Sequence, residues 1–457
     1  MIVPASRLLR WTALVVVPLA TVIGMLPTTA LEAGVLLLGF VAFTAADAWR
    51  GRLAFAGVSV KAPPLVRLSM GKPGSFELRV RGFPQGKRLR LGLDFPPALS
   101  GSQADIWAQL PVGVQESVLD WPCIGTRRGS HRLQQCRLEW MSPWSFWAVR
   151  RVVPLEAEFR VFPDLHADRK SLAPFLLRRT VTGMHVRRQI GKGREFEKLR
   201  EYIPGDGYED IHWKATARRG HPITKVFQIE RNQELYVVLD ASRLSGRPVG
   251  ETGQKLADSP ASGEAEHPPP AVLERYISAA LVLGLAAEKQ GDSFGLVAFS
   301  SRIQRFLRAA GGKRHFGRCR DALYTLETEP LAPDFEELST SLRLRLRRRA
   351  LLIFLTDLSD PVLAEHFLRD IELIRRRHLV VVNMLRPSGV QPLFSDPNVK
   401  SSDELYEALG GHLRWHKLRE LEKQFRRRGM RFSLLDHENL SLQLTAQYLE
   451  VKQGQRL

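Results

Sequence analysis

Residues 234–240, ELYVVLD, decide the fold of this sequence, because an unbroken apolar run ends there in an aspartate. Two later runs have the same character, ALLIFLTD at residues 350–357 and LVVVNML at residues 379–385. Short continuous apolar runs are typical of strands that are buried on both faces of a parallel sheet. Segments with helical periodicity, such as residues 271–290, separate the runs. The sequence therefore predicts an α/β domain with a parallel sheet and helices on both faces.

The region before these units has a different pattern. SFELRVRG at residues 75–82 alternates apolar and polar side chains, which is typical of half-buried strands, and similar stretches follow it. Residues 53–165 are therefore predicted to form a β-sandwich-like domain. Residues 166–234 would link it to the α/β domain at residues 235–457. Within that domain, an insert rich in Gly, Pro and Ser at residues 246–270 predicts a flexible surface loop.

Residues 1–52 contain two uncharged apolar runs, Trp11–Leu26 and Ala33–Ala46, joined by PTTALE. Each run approaches the ~20 residues that span a bilayer once flanking residues are counted. Four arginines flank the pair: Arg7, Arg10, Arg50 and Arg52. Because positive charges stay on the cytoplasmic side, we expect two transmembrane helices with both termini and the soluble domains in the cytoplasm. A cleaved signal peptide would explain the first run and leave the second unexplained.

The charge of the chain predicts an anionic partner. Lys and Arg number 67 against 48 Asp and Glu, for a net charge of +19. Three arginine clusters end predicted helices immediately before strands: Arg347, Arg348, Arg349, Arg375, Arg376, Arg377, Arg426, Arg427 and Arg428. They either complement the helix dipoles or bind an anionic membrane surface. Nucleic acid is a less favoured partner, because the clusters lack the interleaved aromatic side chains of a base-stacking surface.

The opposite edge of the predicted sheet carries acidic and hydroxyl side chains. Two strands end in Asp240 and Asp357. Four hydroxyl residues lie beside them: Ser242, Ser245, Thr356 and Ser359. Ligands of open α/β sheets bind beyond the carboxyl ends of the strands, and oxygen ligands of this kind suit Mg²⁺. The alternative is that both aspartates only cap the segments that follow them.

Catalytic motifs are missing from the sequence. GKGREFEK and GGKRHFG do not match the phosphate loop G-x-x-x-x-G-K-[ST], and neither HExxH nor GxSxG occurs. The three cysteines, Cys123, Cys136 and Cys319, have neither the spacing of a disulfide framework nor that of a zinc site. We therefore expect a protein that is not an enzyme and has no catalytic residues.

A long stretch around the first strand resembles the signature of the domain of unknown function 58 family. It includes GKGREFEKLREYIPGDGYEDIHWK at residues 191–214 and ELYVVLDASRL at residues 234–244. RRGSHRL and SPWSFW precede it, and YLEVK follows near residue 450. The resemblance implies a membrane hairpin, a β-sandwich-like insert and a von Willebrand factor A-like domain. It also implies a bacterial inner-membrane protein that partners a MoxR-type AAA+ ATPase.

The resemblance also bears on the acidic edge. In von Willebrand factor A domains the metal site follows D-x-S-x-S, with a later Thr and a later Asp. Asp240 and Ser242 match the first two positions, and Asp357 matches the later Asp. Leu244 departs from the third position, and the sequence offers no secure counterpart of the Thr. The implied Mg²⁺ site, at Asp240, Ser242 and Asp357, is thus a degenerate one.

Residues 195–218 alternate acidic, basic and aromatic side chains around the turn PGDG. On a helical turn, Glu197 would pair with Arg200 and Lys198 with Glu201. One interpretation is a structural strap between two domains. The other is a surface that a partner binds through six residues: Glu195, Arg200, Tyr202, Asp206, Trp213 and Arg218.

These features together predict a membrane-anchored, non-enzymatic adaptor or scaffold. It would dock a MoxR-type AAA+ ATPase and assist the maturation or assembly of envelope or metal-containing complexes. Two alternatives stay open. One is a metal-dependent hydrolase that uses Asp240 and Asp357, with His212 as its base. The other is a membrane-associated nucleic-acid binder, whose DNA binding would depend steeply on salt.

Overall fold

A computed structural model describes most of the chain. The described residues are 1–54, 57–82, 88–101, 105–109, 116–165, 190–204, 206–228, 233–249, 270–395 and 401–453. The chain divides into two compact units, Met1–Asp164 and Leu165–Leu457, and the division falls beside the boundary predicted at residue 165. Most of the predicted flexible insert, and residues 166–189 of the predicted linker, lie outside the described residues.

The first unit combines helices and strands in its described part. The helices are α1 (Ser6–Met25) and α2 (Ala30–Ala54), with a 3₁₀ turn at Pro27–Thr29 between them. The strands are β1 (Ile2–Pro4), β2 (Ser59–Lys61), β3 (Leu65–Ser69), β4 (Pro73–Arg81), β5 (Arg88–Leu93), β6 (Leu99–Gly101), β7 (Asp105–Gln109), β8 (Glu116–Gly125), β9 (Gly129–Met141) and β10 (Trp147–Phe162).

The two N-terminal helices confirm the predicted pair of apolar segments. Ser6–Met25 has 20 residues and Pro27–Leu53 has 27, and each reaches a mean hydropathy of 1.8 over its most apolar window. By length and composition both are able to cross a membrane. Their side chains are mostly exposed: Leu14 and Leu38, for example, are 65% and 71% exposed. Such surfaces are stable in a bilayer and would be unfavourable in water.

Two sheets share one hydrophobic core in the first unit. One sheet has the order β1-β10-β9-β5-β7, with β3 beside the end of β10, and the other has the order β2-β4-β8-β6. Alternate side chains point into the core, such as Leu78 and Val80 on β4 and Leu89 and Leu91 on β5. Trp121 on β8 is also fully buried there. The alternating pattern of the sequence thus produces a two-layer β structure.

Both ends of the helical hairpin are bonded to the β9–β10 connection. β1, which precedes α1, pairs antiparallel with β10. Near the end of α2, the buried Asp47 accepts hydrogen bonds from Ser142 Oγ at 2.5 Å and from the Trp144 N–H at 3.1 Å. Trp147 Nε1 donates to the carbonyl of Thr44 at 2.8 Å. The hairpin is therefore joined to the β structure by direct bonds at both of its ends.

Replacing Asp47 with Ala tests this junction. The change leaves the Ser142 hydroxyl and the Trp144 N–H without their acceptor, at a cost of about 1–3 kcal/mol. Amide hydrogen exchange at residues 142–147 should become roughly tenfold faster or more, as measured by mass spectrometry on the full chain in detergent. Glu77→Ala is the control, because the Glu77–Arg79 pair is exposed and contributes little. Equal exchange in both variants would contradict the role of Asp47.

The second unit alternates strands and helices. Its strands are β11 (Ile190–Glu201), β12 (Ile223–Gln228), β13 (Glu234–Asp240), β14 (Ser293–Phe299), β15 (Ile303–Ala310), β16 (Ala350–Leu355), β17 (Leu379–Leu385) and β18 (Arg431–Leu435). Its helices are α3 (Trp213–Arg219), α4 (Val272–Lys289), α5 (Lys313–Leu323), α6 (Phe335–Arg345), α7 (Pro361–Asp370), α8 (Glu372–Arg375), α9 (Ser402–Arg427) and α10 (Leu440–Gln453).

The central sheet has the order β15-β14-β13-β16-β17-β18. Its strands are parallel except for β15. Side chains of β13 divide between two core clusters. Leu235, Val237 and Leu239 lie in the cluster that contains residues of α4, α5 and α10. Tyr236 and Val238 lie in the cluster that contains residues of α6, α7 and α9. The predicted mixed α/β fold is confirmed.

Two local features differ from the sequence-based expectation. β15 is antiparallel to β14, because a tight turn, in which the Ser300 N–H donates to the Arg302 carbonyl, reverses the chain. Residues 190–201 form a strand that pairs with β12, so the expected helical pairing of Glu197 with Arg200 is wrong. The β-branched and aromatic residues of β12 provide the partner strand that overrides the local charge pattern.

Candidate functional site

Asp240 lies at the carboxyl end of β13, in the middle of the central sheet, and is fully buried. Its Oδ2 accepts a hydrogen bond of 2.6 Å from Thr356 Oγ1, directly after the neighbouring strand β16. Its Oδ1 accepts a bond of 2.8 Å from the Ser242 N–H. The Ser242 hydroxyl in turn accepts from the Leu244 N–H at 3.3 Å. The carboxylate therefore fixes both the strand pair and the loop that follows β13.

Asp357 lies beside this group on the same edge of the sheet. Its Oδ1 accepts from the N–H and the hydroxyl of Ser359, at 2.8 and 2.6 Å. Arg247 Nη1 lies 3.4 Å from its Oδ2. The structure thus brings together the three residues predicted from the sequence, Asp240, Ser242 and Asp357. It also adds a cation, Arg247, that the sequence analysis did not consider.

One further hydroxyl, that of Thr328, lies beside the loop after β13. Gly246 approaches Thr328 so closely that a Cβ at Gly246 would lie 3.2 Å from Thr328 Oγ1. The Glu329 N–H donates to the carbonyl of Ala241 at 2.8 Å, which holds this segment along the loop after β13. Thr328 is a hydroxyl residue beside this loop that the sequence analysis did not consider. Its local sequence, LETEP, carries no pattern that separates it from other threonines.

The donor set at this edge fits Mg²⁺ through hydroxyls as well as carboxylates. Ser245 Oγ is buried and has no hydrogen-bond partner among the described residues, so it is an oxygen available to a cation. In the described part of the chain, no three His, Cys, Asp or Glu side chains converge on a metal position. A cation here would be held by Asp240, Ser242 and Ser245, with Thr328 and Asp357 nearby.

The electrostatics of the edge favour such a cation. Burial raises the pKa of Asp240, and the hydrogen bonds from Thr356 and Ser242 only oppose that effect. The negative charge of Asp357 raises the pKa of Asp240 further. Tyr276, also fully buried, has its pKa raised by burial and by the two aspartates, so it stays a neutral donor. The charged form of Asp240 is therefore under-compensated.

The Asp240→Asn variant should be more stable than the wild type when no divalent cation is present. A carboxyl whose pKa is raised on folding contributes stability that is complete below its unfolded pKa, about 3.9, and is lost as pH rises through the folded pKa. The advantage of the variant should therefore grow with pH above about 4. Urea unfolding of the full chain in detergent, from pH 4 to 8, measures it.

Added Mg²⁺ should then raise the unfolding midpoint of the wild type and leave that of the Asp240→Asn variant unchanged. Thr445→Val is a control, because Thr445 is a buried hydroxyl residue away from this edge, on α10. If the free energy of unfolding changes with pH in the same way in the wild type and in Asp240→Asn, the interpretation that the charge of Asp240 is under-compensated is wrong.

The nine arginines predicted to form a basic surface lie at the opposite edge of the sheet. All are exposed except Arg375, which is half-buried. Arg377 Nη2 donates to the carbonyl of Arg347, which joins two of the clusters. Arg375 Nη2 lies 2.5 Å from Glu372 Oε1, and this bond lowers the pKa of Glu372. The charges of Arg376 and Arg428 lower the pKa of Glu372 further. The three clusters therefore share one electrostatic surface.

The positive charges of these clusters also affect the pKa of His378. It is buried, and its Nδ1 accepts a hydrogen bond of 3.2 Å from the Ala350 N–H. Burial, with the charges of Arg377 and Arg349, lowers the pKa of His378 to about 4. The imidazole is therefore neutral at physiological pH and adds no positive charge to the edge.

Residues 199–204 and 206–219, which we call the signature surface, present polar and aromatic side chains on the end of β11, on a 3₁₀ turn at Tyr208–Asp210 and on α3. Arg200 Nη2 lies 2.7 Å from Asp206 Oδ1, and Asp206 Oδ2 accepts a hydrogen bond from the Ile203 N–H. The bond from Ile203 is the main reason why the pKa of Asp206 is lowered. Tyr202 stacks on Tyr208 with ring centroids 6.1 Å apart. Three large side chains of the signature surface are exposed to solvent: Trp213 is 68% exposed, Tyr208 77% and Ile203 56%.

The remaining predicted residues occupy neighbouring positions. Arg218 is exposed in the last turn of α3, and Glu195 lies on β11 with its side chain outside the described residues. His212, the base considered for a hydrolase, caps α3: its Nδ1 accepts from the Ala215 N–H at 3.0 Å. That nitrogen is therefore engaged in helix capping.

The fold and its sites define a class: a protein with an apolar helical hairpin, a two-layer β unit, and an α/β unit with an acidic and hydroxyl-rich sheet edge. The family described as "Protein of unknown function DUF58" matches residues 198–251 and 256–392. The matched region spans the signature surface and most of the central sheet, from β13 to β17. The resemblance to this family that the sequence predicts is confirmed over the matched residues.

Relatives occur among uncharacterized proteins of Mycobacterium bovis and Mycobacterium tuberculosis, which are 24% identical to this chain over 250 residues. The matches span 53% of this chain and 66% of each relative, so the chain covers about two thirds of their length.

Solved structures with similar regions are of low identity. A conserved hypothetical protein, BatB, from Bacteroides thetaiotaomicron is 11% identical, with a TM-score of 0.29; the match covers 49% of this chain and 100% of that one. An aerotolerance-related membrane protein from Bacteroides fragilis is 10% identical, with a TM-score of 0.25 and coverages of 49% and 100%. The SpRpn10 VWA domain is 8% identical, with a TM-score of 0.24 and coverages of 40% and 82%.

Proposed function

We propose that this protein is a membrane-anchored adaptor that docks an AAA+ ATPase of the MoxR type through its signature surface. The observation that carries the proposal is the exposure of Trp213, Tyr208 and Ile203 on a turn that the Arg200–Asp206 ion pair holds in place. Exposed aromatic side chains on a rigid support are typical of the central residues of protein interfaces. The ATPase would supply nucleotide hydrolysis, and the adaptor would direct it to envelope or metal-containing complexes.

The proposed location is the bacterial inner membrane, with the termini, the β structure of the first unit and the second unit in the cytoplasm. Two features support this orientation. Arg7, Arg10, Arg50 and Arg52 flank the hairpin on one side. Both ends of the hairpin are bonded to the same β structure, so they lie on the same side of the membrane as that structure. The second unit would have the von Willebrand factor A arrangement, a parallel sheet with helices on both faces.

We further propose that the Asp240 edge binds Mg²⁺ and gives the adaptor a second contact for an acidic group of its partner or client. Buried Asp240 and the unpartnered hydroxyl of Ser245 support it. The hydrolase is not part of the proposal, because His212 Nδ1 is engaged in capping α3. A reaction at this edge would need a base that the described residues around Asp240 do not provide.

Trp213→Ala should reduce co-purification of the ATPase with the full chain by about tenfold or more, since an exposed interface Trp commonly contributes at least about 2 kcal/mol. The measurement is affinity purification from gently solubilised native membranes with Mg²⁺ and ATP, followed by quantitative mass spectrometry. Trp107→Ala is the matched control, because Trp107 is similarly exposed, at 54%, but lies in the first unit.

The same purification separates the two proposed contacts. Asp240→Asn and Asp357→Ala, run alongside, report whether the acidic edge contributes to docking. Loss of the ATPase in Trp213→Ala with retention in both aspartate variants assigns docking to the signature surface alone. If no AAA+ ATPase co-purifies with the wild type, or if Trp213→Ala and Trp107→Ala behave alike, the docking proposal is wrong.

The arginine edge is proposed to contact anionic lipid headgroups, to which each nearby Arg contributes about 1 kcal/mol. In proteoliposomes that contain phosphatidylglycerol, trypsin should cut after Arg347–Arg349 more slowly than in phosphatidylcholine alone. Salt at 0.5 M should abolish this protection, because it shortens the Debye length to a few ångströms, about 3–8 Å. Cleavage after the exposed Arg302, on another edge, is the internal control. Equal rates in both lipids would contradict the contact.

A further inference from the structure

The loop between β9 and β10 packs along one face of α2. Residues 142–147, which we call the SPWSFW loop after their sequence, lie against five residues of the helix: Phe43, Thr44, Asp47, Arg50 and Gly51. These positions recur every three or four residues, so they lie on one side of the helix. Phe43 and Gly51 are about two turns apart. The loop therefore covers one side of α2 over about two turns near its end.

Trp144 connects two levels of this helix face. Its ring stacks on Phe43, with the ring centroids 4.1 Å apart. The guanidinium of Arg50 lies over the ring of Trp144, 5.5 Å from its centroid, in the geometry of a cation–π contact. Along the helix axis, Phe43 lies about 10 Å from Arg50. Trp144 therefore reaches from the basic end of α2 into the apolar run at residues 33–46.

The thickness of a bilayer places these contacts below its surface. The apolar run of α2 begins at Ala33, directly after Glu32. The ~20 residues that span the hydrocarbon core from there end near Arg52. Arg50 then lies at the boundary, and Phe43 lies about 10 Å deeper. Because Trp144 stacks on Phe43, the tip of the loop lies below the boundary as well.

The loop covers the polar side chains that α2 carries at this depth. A carboxylate in contact with lipid would be costly. Asp47 is instead fully buried, and the Ser142 hydroxyl and the Trp144 N–H donate to it. Thr44, one turn earlier, is buried as well, and its carbonyl accepts a hydrogen bond from Trp147 Nε1. The loop thus separates the polar face of α2 from its surroundings.

The loop presents an apolar and aromatic surface in place of that polar face. Pro143 and Trp144 are exposed, and so is Met141 at the end of β9. Trp49 on α2 is exposed too. Tryptophan is enriched at the level of the lipid headgroups, where one end of its ring meets water and the other meets acyl chains. Arg50, which has no acidic partner among the described residues, adds a cation that suits a phosphate group.

We propose that the SPWSFW loop is inserted in the membrane interface beside α2, in the leaflet nearer to the β structure, where Arg50 binds the phosphate of a phospholipid. The inference rests on the proposed membrane anchoring of the hairpin and goes beyond it, because the β structure itself then contacts lipid. Continuity decides the occupant: the exposed side of the loop extends the surface of α2 that the bilayer covers. One loop would thus hold the first unit in the membrane and shield Asp47 from lipid.

A soluble partner protein fits this surface less well. To cover Trp144, it would have to pass the headgroups and reach the level of Phe43, about 10 Å below the boundary. The exposed side chains of α2 near that level, Val41 and Ala45, offer no polar group that a soluble protein could bind. Lipid covers both the loop and these flanking residues.

A spin label tests the insertion. The native cysteines Cys123, Cys136 and Cys319 are all buried, so Pro143→Cys in the full chain takes up the label selectively. In liposomes of phosphatidylcholine and phosphatidylglycerol, dissolved oxygen reports exposure to lipid, and a water-soluble nickel chelate reports exposure to water. We expect the electron paramagnetic resonance signal of the label at residue 143 to respond more strongly to oxygen than to the chelate.

Two matched sites separate the possible failures. Gln134→Cys places the label at an exposed position of β9, about 24 Å from the end of that strand at the loop, and should respond more strongly to the chelate. Leu38→Cys places it on the exposed middle of the apolar run of α2 and should respond more strongly to oxygen.

The three labels together decide between the outcomes. If residue 38 meets lipid and residue 143 meets water as residue 134 does, the inference is wrong and the membrane anchoring stands. If residues 38 and 143 both meet water, the membrane anchoring is wrong as well. If the label at residue 143 is inaccessible to both reagents, another protein covers the loop and the proposal is wrong.

Bound lipid tests the role of Arg50. Arg50→Gln should lower the occupancy of the most tightly bound phosphatidylglycerol by about fivefold, the equivalent of the ~1 kcal/mol that an arginine contributes beside an anionic membrane. Native mass spectrometry of the full chain, released from detergent micelles with added phosphatidylglycerol, measures it. Arg79→Gln is the control, because Arg79 is an exposed arginine of β4 that already pairs with Glu77. Equal lipid occupancy in the two variants would overturn the contact between Arg50 and phosphate.

Discussion

The hydrogen bond from Thr356 to the buried carboxylate of Asp240 is the contact on which the acidic edge depends. It joins the ends of two neighbouring parallel strands, β13 and β16. The second oxygen of Asp240 orders the loop after β13 through the Ser242 N–H, and that loop positions Arg247 beside Asp357. A buried carboxylate that is bonded only to neutral donors is costly, and removing one donor leaves the charge still less compensated. The edge is therefore rigid, and the negative charge of Asp240 is only partly compensated.

Much of this arrangement could be predicted from the sequence, because parallel strands align their carboxyl ends. ELYVVLD and ALLIFLTD each end in an acidic residue, so the meeting of Asp240 and Asp357 followed from the apolar runs alone. Thr328 and Arg247 could not be found in this way. They reach the edge through irregular loops, whose course depends on backbone bonds such as that from Glu329 to Ala241. Sequence periodicity does not encode such bonds.

The signature segment shows the other limit of sequence reasoning. The spacing of Glu197 and Arg200 fits a helical ion pair, but residues 190–201 form a strand with β12. A non-local backbone ladder satisfies a whole row of N–H and C=O groups, whereas one exposed i,i+3 pair contributes only about 0.2–0.5 kcal/mol. Arg200 then pairs with Asp206 across the turn. Arg200 and Asp206 therefore lie together as neighbours, and their geometry comes from tertiary pairing.

The second unit presents surfaces that differ in chemistry, and this difference argues against a single partner. The signature surface is aromatic, the arginine edge is strongly cationic, and the Asp240 edge carries carboxylates and hydroxyls. A single anionic partner would suit the arginine edge and be repelled by Asp240 and Asp357 at the opposite edge. An interface gains specificity by rejecting wrong partners as well as by fitting the right one. Separate surfaces of unlike chemistry are what the proposed adaptor would need to hold a membrane and an ATPase at once.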